Sequence, residues 1–340
     1  MFSKPPRPLM RTVAAAAAAV ALTVGLSACA SDDGLLRTPD GSVISTTVTR
    51  IAEVNIVNPG RDYAKTCLAP TAPDRGKADV ARVVVTDPAL LDALCALGMG
   101  AQVTGVTAAP GSVPAYLGPQ FAAIPALGDA PDAAAVRRAA PQVVLSSPAT
   151  ELRLAALRAT DALGSARTVT VDPADWQRSF RDVAAAVNRS AAADTRLAEF
   201  TDEAHRVGRV MDAAHSEVSL VRFTPTAELI EGTGSFGAQI MSIIGVARPA
   251  AQRTPEAVPA TSADFADADA DLIYVSYQGE KGLARGKEVL MSDKWLDLGA
   301  PTWKRVLSVD DTVWYESSGL AAAWLVLNDV KVSLNSSSAG

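Results

Sequence analysis

Gly232-Thr233-Gly234-Ser235-Phe236-Gly237 spells a dinucleotide-binding pattern, in which glycine backbone amides cradle a pyrophosphate where a helix begins. That chemistry also needs an acidic residue at the tip of the next parallel strand. Here Glu256 lies between Pro255 and Pro259, so we read the glycines as a cleft loop and not as a nucleotide site. The two histidines, His205 and His215, fall ten residues apart on one predicted helix. Roughly 15 Å along a helix axis separates them, too far for one metal ion. No nucleophile elbow occurs, and no general base comes with an orienting partner, so an enzyme is not expected.

The thiol of Cys29 stands where an apolar run from Val13 to Leu26 ends, behind Lys4, Arg7 and Arg11. A positive start, an apolar stretch shorter than a membrane span and small residues before a cut are the three regions of a secretory signal. Leu26-Ser27-Ala28-Cys29 resembles the bacterial lipobox, whose cysteine is acylated and becomes the new N-terminus. Acyl chains contributing about 0.8 kcal/mol per buried methylene would hold the mature chain at the outer face of the cytoplasmic membrane. With Cys29 assigned to lipid, Cys67 and Cys95 remain as an even pair in an oxidising compartment, and a disulfide between them is expected. The alternative is two separate thiols, with Cys95 a core residue of an apolar helix.

These groups need a scaffold. The chain has 340 residues, 37 acidic and 31 basic, for a net charge of −6; 49% are hydrophobic and 5% aromatic. Such a composition folds, and the dispersed lysines and arginines do not make the basic face a nucleic acid requires. Residues 1–28 read as the signal peptide and 29–78 as tether and leader, where patches such as Val43 to Val48 and Ile51 to Val57 could add an edge strand. From 79 to 174 short apolar strands alternate with helices: Arg82 to Thr86, Val103 to Val106, Val143 to Leu145 and Thr168 to Val171, with helices over Ala89 to Leu97, Ala133 to Ala140 and Glu151 to Leu163. Continuous apolar strands in β-α-β order predict a parallel sheet covered on both faces. Helical spacing then runs through 175–217, its second segment continuous from Ala191 to His215, and a second α/β alternation fills 218–340. The fold class is therefore α/β, with two lobes, parallel sheets and a long interlobe helix.

At this point the chain resembles the iron-siderophore, haem and cobalamin substrate-binding proteins of ATP-binding-cassette importers, over roughly residues 80 to 335. The resemblance is carried by the stretch from Leu91 to Gly98, by Ala139-Ala140-Pro141-Gln142-Val143-Val144-Leu145, and by the stretch from Asp269 to Ser276. Within that family it is most similar to the mycobacterial-type ferric-siderophore lipoproteins, through the Cys67 and Cys95 pair, Pro114 to Gly118, Asp175-Trp176, Arg248-Pro249 and Val313-Trp314. The resemblance implies a monomer that takes a ferric siderophore, or else haem, in its cleft and delivers it to an importer permease. An envelope lipoprotein with this fold and no transport role is the other reading.

A siderophore already saturates its iron, so the site needs no metal ligand and no cofactor, only a shaped apolar and aromatic cleft with a few complementary charges. Loops after the strands face such a cleft. The resemblance thus points to Thr86, Asp87, Tyr116, Ser146 and Ser147 from the first lobe and Trp176 at the start of the helical region. From the second it points to Arg222, Phe236, Tyr277, Trp314 and Tyr315, with Arg222 making a charge-assisted contact to anionic oxygens. Each has a plainer role open to it: turn or cap for the first-lobe polar residues, core packing for the aromatics, a solvent-facing strand position for Arg222. For a haem ligand the axial residue would be Tyr116, Tyr277 or Tyr315. Two departures from the family pattern stand out. Glu228-Leu229-Ile230-Glu231 replaces a second arginine and a tyrosine. Of two acidic permease-docking positions, Asp92 keeps one and Gln239 alters the other.

Overall fold

The computed structural model describes residues 48–260 and 265–335. The expected signal peptide, the expected lipidation position Cys29 and most of the Val43 to Val48 patch lie outside the described residues.

Among the described residues, eleven strands make two sheets. The first contains β3 (Val83–Val85), β4 (Val103–Val106), β5 (Val143–Ser146) and β6 (Arg167–Thr170), in the order β4-β3-β5-β6 and parallel throughout. The second contains β1 (Arg50–Ile51), β2 (Val54–Ile56), β7 (Val218–Phe223), β8 (Glu228–Ile230), β9 (Val258–Pro259), β10 (Leu272–Tyr277) and β11 (Val306–Ser308). Its order is β1-β2-β11-β10-β7-β8-β9. The four central strands β2, β11, β10 and β7 are parallel, while β1, β8 and β9 pair antiparallel at the edges. The leader therefore does add strands, and it adds them to the second lobe's sheet: Asn55 pairs with Leu307 and Ile56 with Ser308.

The helices are α1 (Leu91–Ala96), α2 (Gly118–Ala122), α3 (Ala133–Ala139), α4 (Glu151–Ala159), α5 (Trp176–Ala186), α6 (Ser190–Val210), α7 (Phe236–Ile244), α8 (Gly279–Leu290), α9 (Asp293–Leu296), α10 (Gly299–Thr302) and α11 (Leu320–Ser333). Side chains set their starts: Asp132 accepts from the Ala134 amide ahead of α3, and Asp175 from Gln177 and Arg178 ahead of α5. The 21-residue α6 spans roughly 31 Å. It is shorter than the 25 residues its pattern predicts, because Asp212 turns left-handed (φ 53°) and Ala213–His215 form a separate 3-10 turn. His205 and His215 are thus not on one helix. The start of α6 has no local cap; the Asp74 carboxylate of the leader accepts from the Ser190 and Ala191 amides at 2.9 and 3.0 Å.

One apolar core runs through both lobes. It joins Val83, Val85 and Leu94 of the first sheet and its helix to Phe180 and Phe200 of the central helices, and on to Leu220, Leu272, Trp314 and Val326 of the second lobe. Two smaller clusters cover the outer faces, one around Trp295 and Phe223, the other around Leu154 and Val136.

Candidate functional site

In parallel sheets, ligands gather where the carboxyl ends of the strands open into loops. The first sheet's ends carry a closed polar network. The Thr86 and Thr150 hydroxyls lie 2.8 Å apart, the Ser147 amide donates to Thr150 Oγ1 at 3.0 Å, and the Ser147 hydroxyl donates to Asp87, which also caps Ala89. Ser146 Oγ meets Thr170 Oγ1 at 3.1 Å. Thr86, Ser146 and Ser147 are fully buried, so these residues are brought together and satisfy one another as turn and cap groups.

A cavity of about 610 Å³ opens at the carboxyl ends of β2, β10 and β11. Val48, Ile51, Ile56, Val57, Tyr63, Tyr277 and Leu283 give it an apolar and aromatic wall; Arg61, Glu280, Asp310 and Asp311 supply its charges. Of the residues the sequence points to, Tyr277 lines this cavity, its ring stacked on Phe223 at 5.7 Å and 12° between planes. Burial pushes its phenol well up from the ordinary range. The first-lobe candidates do not line the cavity.

Arg222 projects from β7 beside this cavity and is committed to a partner in its own lobe. Its Nε and a terminal nitrogen each donate to Asp311 at 2.8 Å, and Asp311 also accepts from Ser276 Oγ at 2.8 Å. The guanidinium sits 5.1 Å over the Tyr315 ring, with Glu316 at 3.7 Å. Burial alone would lower the Arg222 pKa; the hydrogen bond and charge of Asp311 outweigh it and raise it. Tyr315 presents a buried hydroxyl with no hydrogen-bond partner, and burial drives its pKa well up. Glu231 is buried nearby, its carboxyl raised by desolvation, and Arg248 is lowered to about 10 by burial. Glu228, at the other departure from the family pattern, pairs with Arg285 at 2.9 Å.

Trp314, Trp176, Phe236 and Tyr116, expected at the cleft, are core instead. Trp314 is fully buried and its Nε1 donates to Asp329 at 2.9 Å. Trp176 packs edge-on against Phe200 and Phe236 at 5.8 and 6.1 Å, an aromatic hub where α5, α6 and α7 meet. Tyr116 is 4% exposed and donates to Asp92 at 2.9 Å. These side chains are recruited inward because the two lobes share one core and large aromatics fill it best.

Asp92 is likewise corrected as an exposed docking residue. It is 2% exposed, and its carboxylate accepts from the Ala321 and Ala322 amides at 2.9 Å each, capping α11 of the other lobe. Gln239 is half-buried and donates to the Gly234 carbonyl at 3.0 Å. In the glycine loop, Thr233 and Gly234 donate their amides to Thr254 and Pro255. A Cβ at Gly232 would stand 2.3 Å from the Glu256 carbonyl oxygen, so the glycines serve close backbone packing and hold no phosphate cradle.

Sequence reading missed the leader's share of the wall. Arg61 and Asn58 both reach Asp329, the latter at 2.7 Å, and the Tyr63 hydroxyl donates to Asp310. Asp310-Asp311 stands as a charged pair just after β11, a signal the sequence reading did not take up. Nothing in the leader's composition marked its partners.

Two α/β lobes with parallel central strands, a shared core and a cavity at the strand ends define a two-lobed binding-protein fold. Residues 83–312 match the periplasmic binding protein family, and the chain belongs to that family. Similar solved structures are Staphylococcus aureus SirA complexed with staphyloferrin B (TM-score 0.60, 18% identity, covering 76% of this chain and 94% of that one) and S. aureus FhuD2 with bound ferrioxamine B (0.57, 17%, 74% and 97%). The periplasmic heme-binding protein RhuT from Roseiflexus is also similar (0.55, 20%, 75% and 97%). No curated protein matches. The disulfide joins Cys67 to Cys95. Among the described residues, no helix is long and apolar enough to cross a membrane.

Proposed function

We propose that this protein captures a ferric siderophore outside the cytoplasmic membrane, held there by lipid on Cys29, and presents it to an ATP-binding-cassette permease as a monomer. The observation that carries the reading is the cavity at the carboxyl ends of the seven-stranded sheet, in a chain of the periplasmic binding protein family. About 610 Å³ with a mostly apolar wall suits an iron chelate whose metal is already saturated. Two similar structures are described with staphyloferrin B and ferrioxamine B.

The structure gives haem less support. Neither Tyr116 nor Tyr315 lines the cavity, and Tyr116 is hydrogen-bonded to Asp92. Tyr277, which lines the cavity, has its ring stacked on Phe223. The family is one of binding proteins, and binding without catalysis is the activity proposed.

Titration of the protein with ferrioxamine B and, in parallel, with hemin, followed by tryptophan fluorescence, tests the assignment. Saturable quenching at micromolar siderophore and none with hemin is expected. Quenching by hemin alone would reassign the site to haem, and silence with both chelates would favour an envelope role without transport.

A further inference from the structure

The side chain expected to greet an anionic chelate is already neutralised. Arg222 spends two of its donors on Asp311 and faces Glu316 and the Tyr315 ring with the rest. It does not itself line the cavity, whereas Asp311 does. Among the described residues, the cavity's charged lining is three carboxylates (Glu280, Asp310 and Asp311) against one guanidinium, Arg61. That guanidinium is committed in turn to Asp329, which also accepts from Asn58 and Trp314. Glu280 and Asp310 are exposed to the cavity's solvent, so their charges are not cancelled by burial.

Resting on the siderophore reading above, we infer that Asp311, with Glu280 and Asp310, selects for uncharged or cationic ferric chelates of the hydroxamate class and against polyanionic ones. The chemistry is simple charge balance. Three hydroxamates neutralise a ferric ion, and a pendant ammonium makes the complex cationic; three catecholates leave it triply negative. In a partly desolvated cavity, opposed charges several ångströms apart change affinity on the order of tenfold or more. Pairing Arg222 with Asp311 removes the anion-attracting charge from this wall, and the exposed carboxylates of Glu280 and Asp310 then leave it anion-repelling.

Equilibrium dialysis of the full chain against radio-iron-labelled ferrioxamine B and ferric enterobactin, a tris-catecholate, reads the selection directly. The native protein is expected to retain ferrioxamine B at least tenfold more tightly. Asp311→Asn, which leaves Arg222 with a net charge to offer, is expected to move the affinity ratio at least tenfold toward the catecholate. Glu280→Gln, an exposed change with little bearing on folding, is expected to move it about threefold the same way. Equal or tighter binding of the catecholate by the native protein overturns the inference while leaving the iron-chelate reading intact. So does a ratio unmoved by both variants. Retention of neither chelate overturns the iron-chelate reading itself, and the selection with it.

Discussion

Asp92 belongs to α1 in the first lobe and holds two first-turn amides of α11 in the second, so a single carboxylate joins elements more than two hundred residues apart. It is fully enclosed, and burial raises its pKa above the ordinary 3.8 against the pull of those amides and of Tyr116. A carboxyl whose folded pKa is raised binds protons more readily in the folded state. Its contribution to stability is therefore greatest below the ordinary carboxylate range and falls as pH climbs through the raised value. Replacing it with asparagine puts an amide donor against backbone donors, and Asp92→Asn is expected to cost about 2 kcal/mol. That cost should be largest near pH 4 and shrink toward neutrality. Denaturant melts of both proteins across that range check the sign; a gap widening with pH would contradict it.

At the scale of elements, α6 and α7 touch at one point where no side chain fits. A Cβ on Gly208 would stand 1.9 Å from the Ile244 carbonyl oxygen, at the end of α7. Glycine is thus required there by close approach, although it weakens an isolated helix by about 1 kcal/mol relative to alanine. Gly208→Ala is expected to destabilise by about 2 kcal/mol, as the helices are forced apart. Thermal melting shows this as a fall of several degrees, whereas unchanged or raised stability would mean that the helices slide freely past each other. The same closeness makes α6 an effective spacer: it is clamped by Asp74 at its start and by α7 near its end.

Across the whole molecule, the two sheets are bound by more than a spacer. One apolar core runs between them, Asp92 reaches across to cap α11, and the leader runs from β2 of the second sheet through Asp329 and Asp310 to the Cys67–Cys95 bridge on the first lobe. Opening the lobes would expose that core and break the leader's contacts on one side or the other. Little closure is therefore expected on ligand capture, in contrast to proteins whose lobes swing about two or three exposed strands. Small-angle scattering of the protein with and without saturating ferrioxamine B should give superimposable profiles. A clear contraction would show that the core shears.

The strand and helix alternation was legible from sequence because apolar period is a local property: Val83–Val85, Val218–Phe223 and Leu272–Tyr277 lie where runs of valine, leucine and isoleucine place them. The Cys67–Cys95 pairing followed from counting once Cys29 was set aside. What each polar or aromatic group faces was another matter. Arg222 meets a carboxylate 89 positions later, and Asp92 caps a helix 229 positions away. The leader's short strands contain nothing that chooses between two sheet edges. Those outcomes depend on which elements pack together, and on buried charges finding partners wherever the fold brings them. The tertiary structure alone therefore decided that Trp176 and Trp314 build the core, and that a carboxylate stands between Arg222 and the cavity.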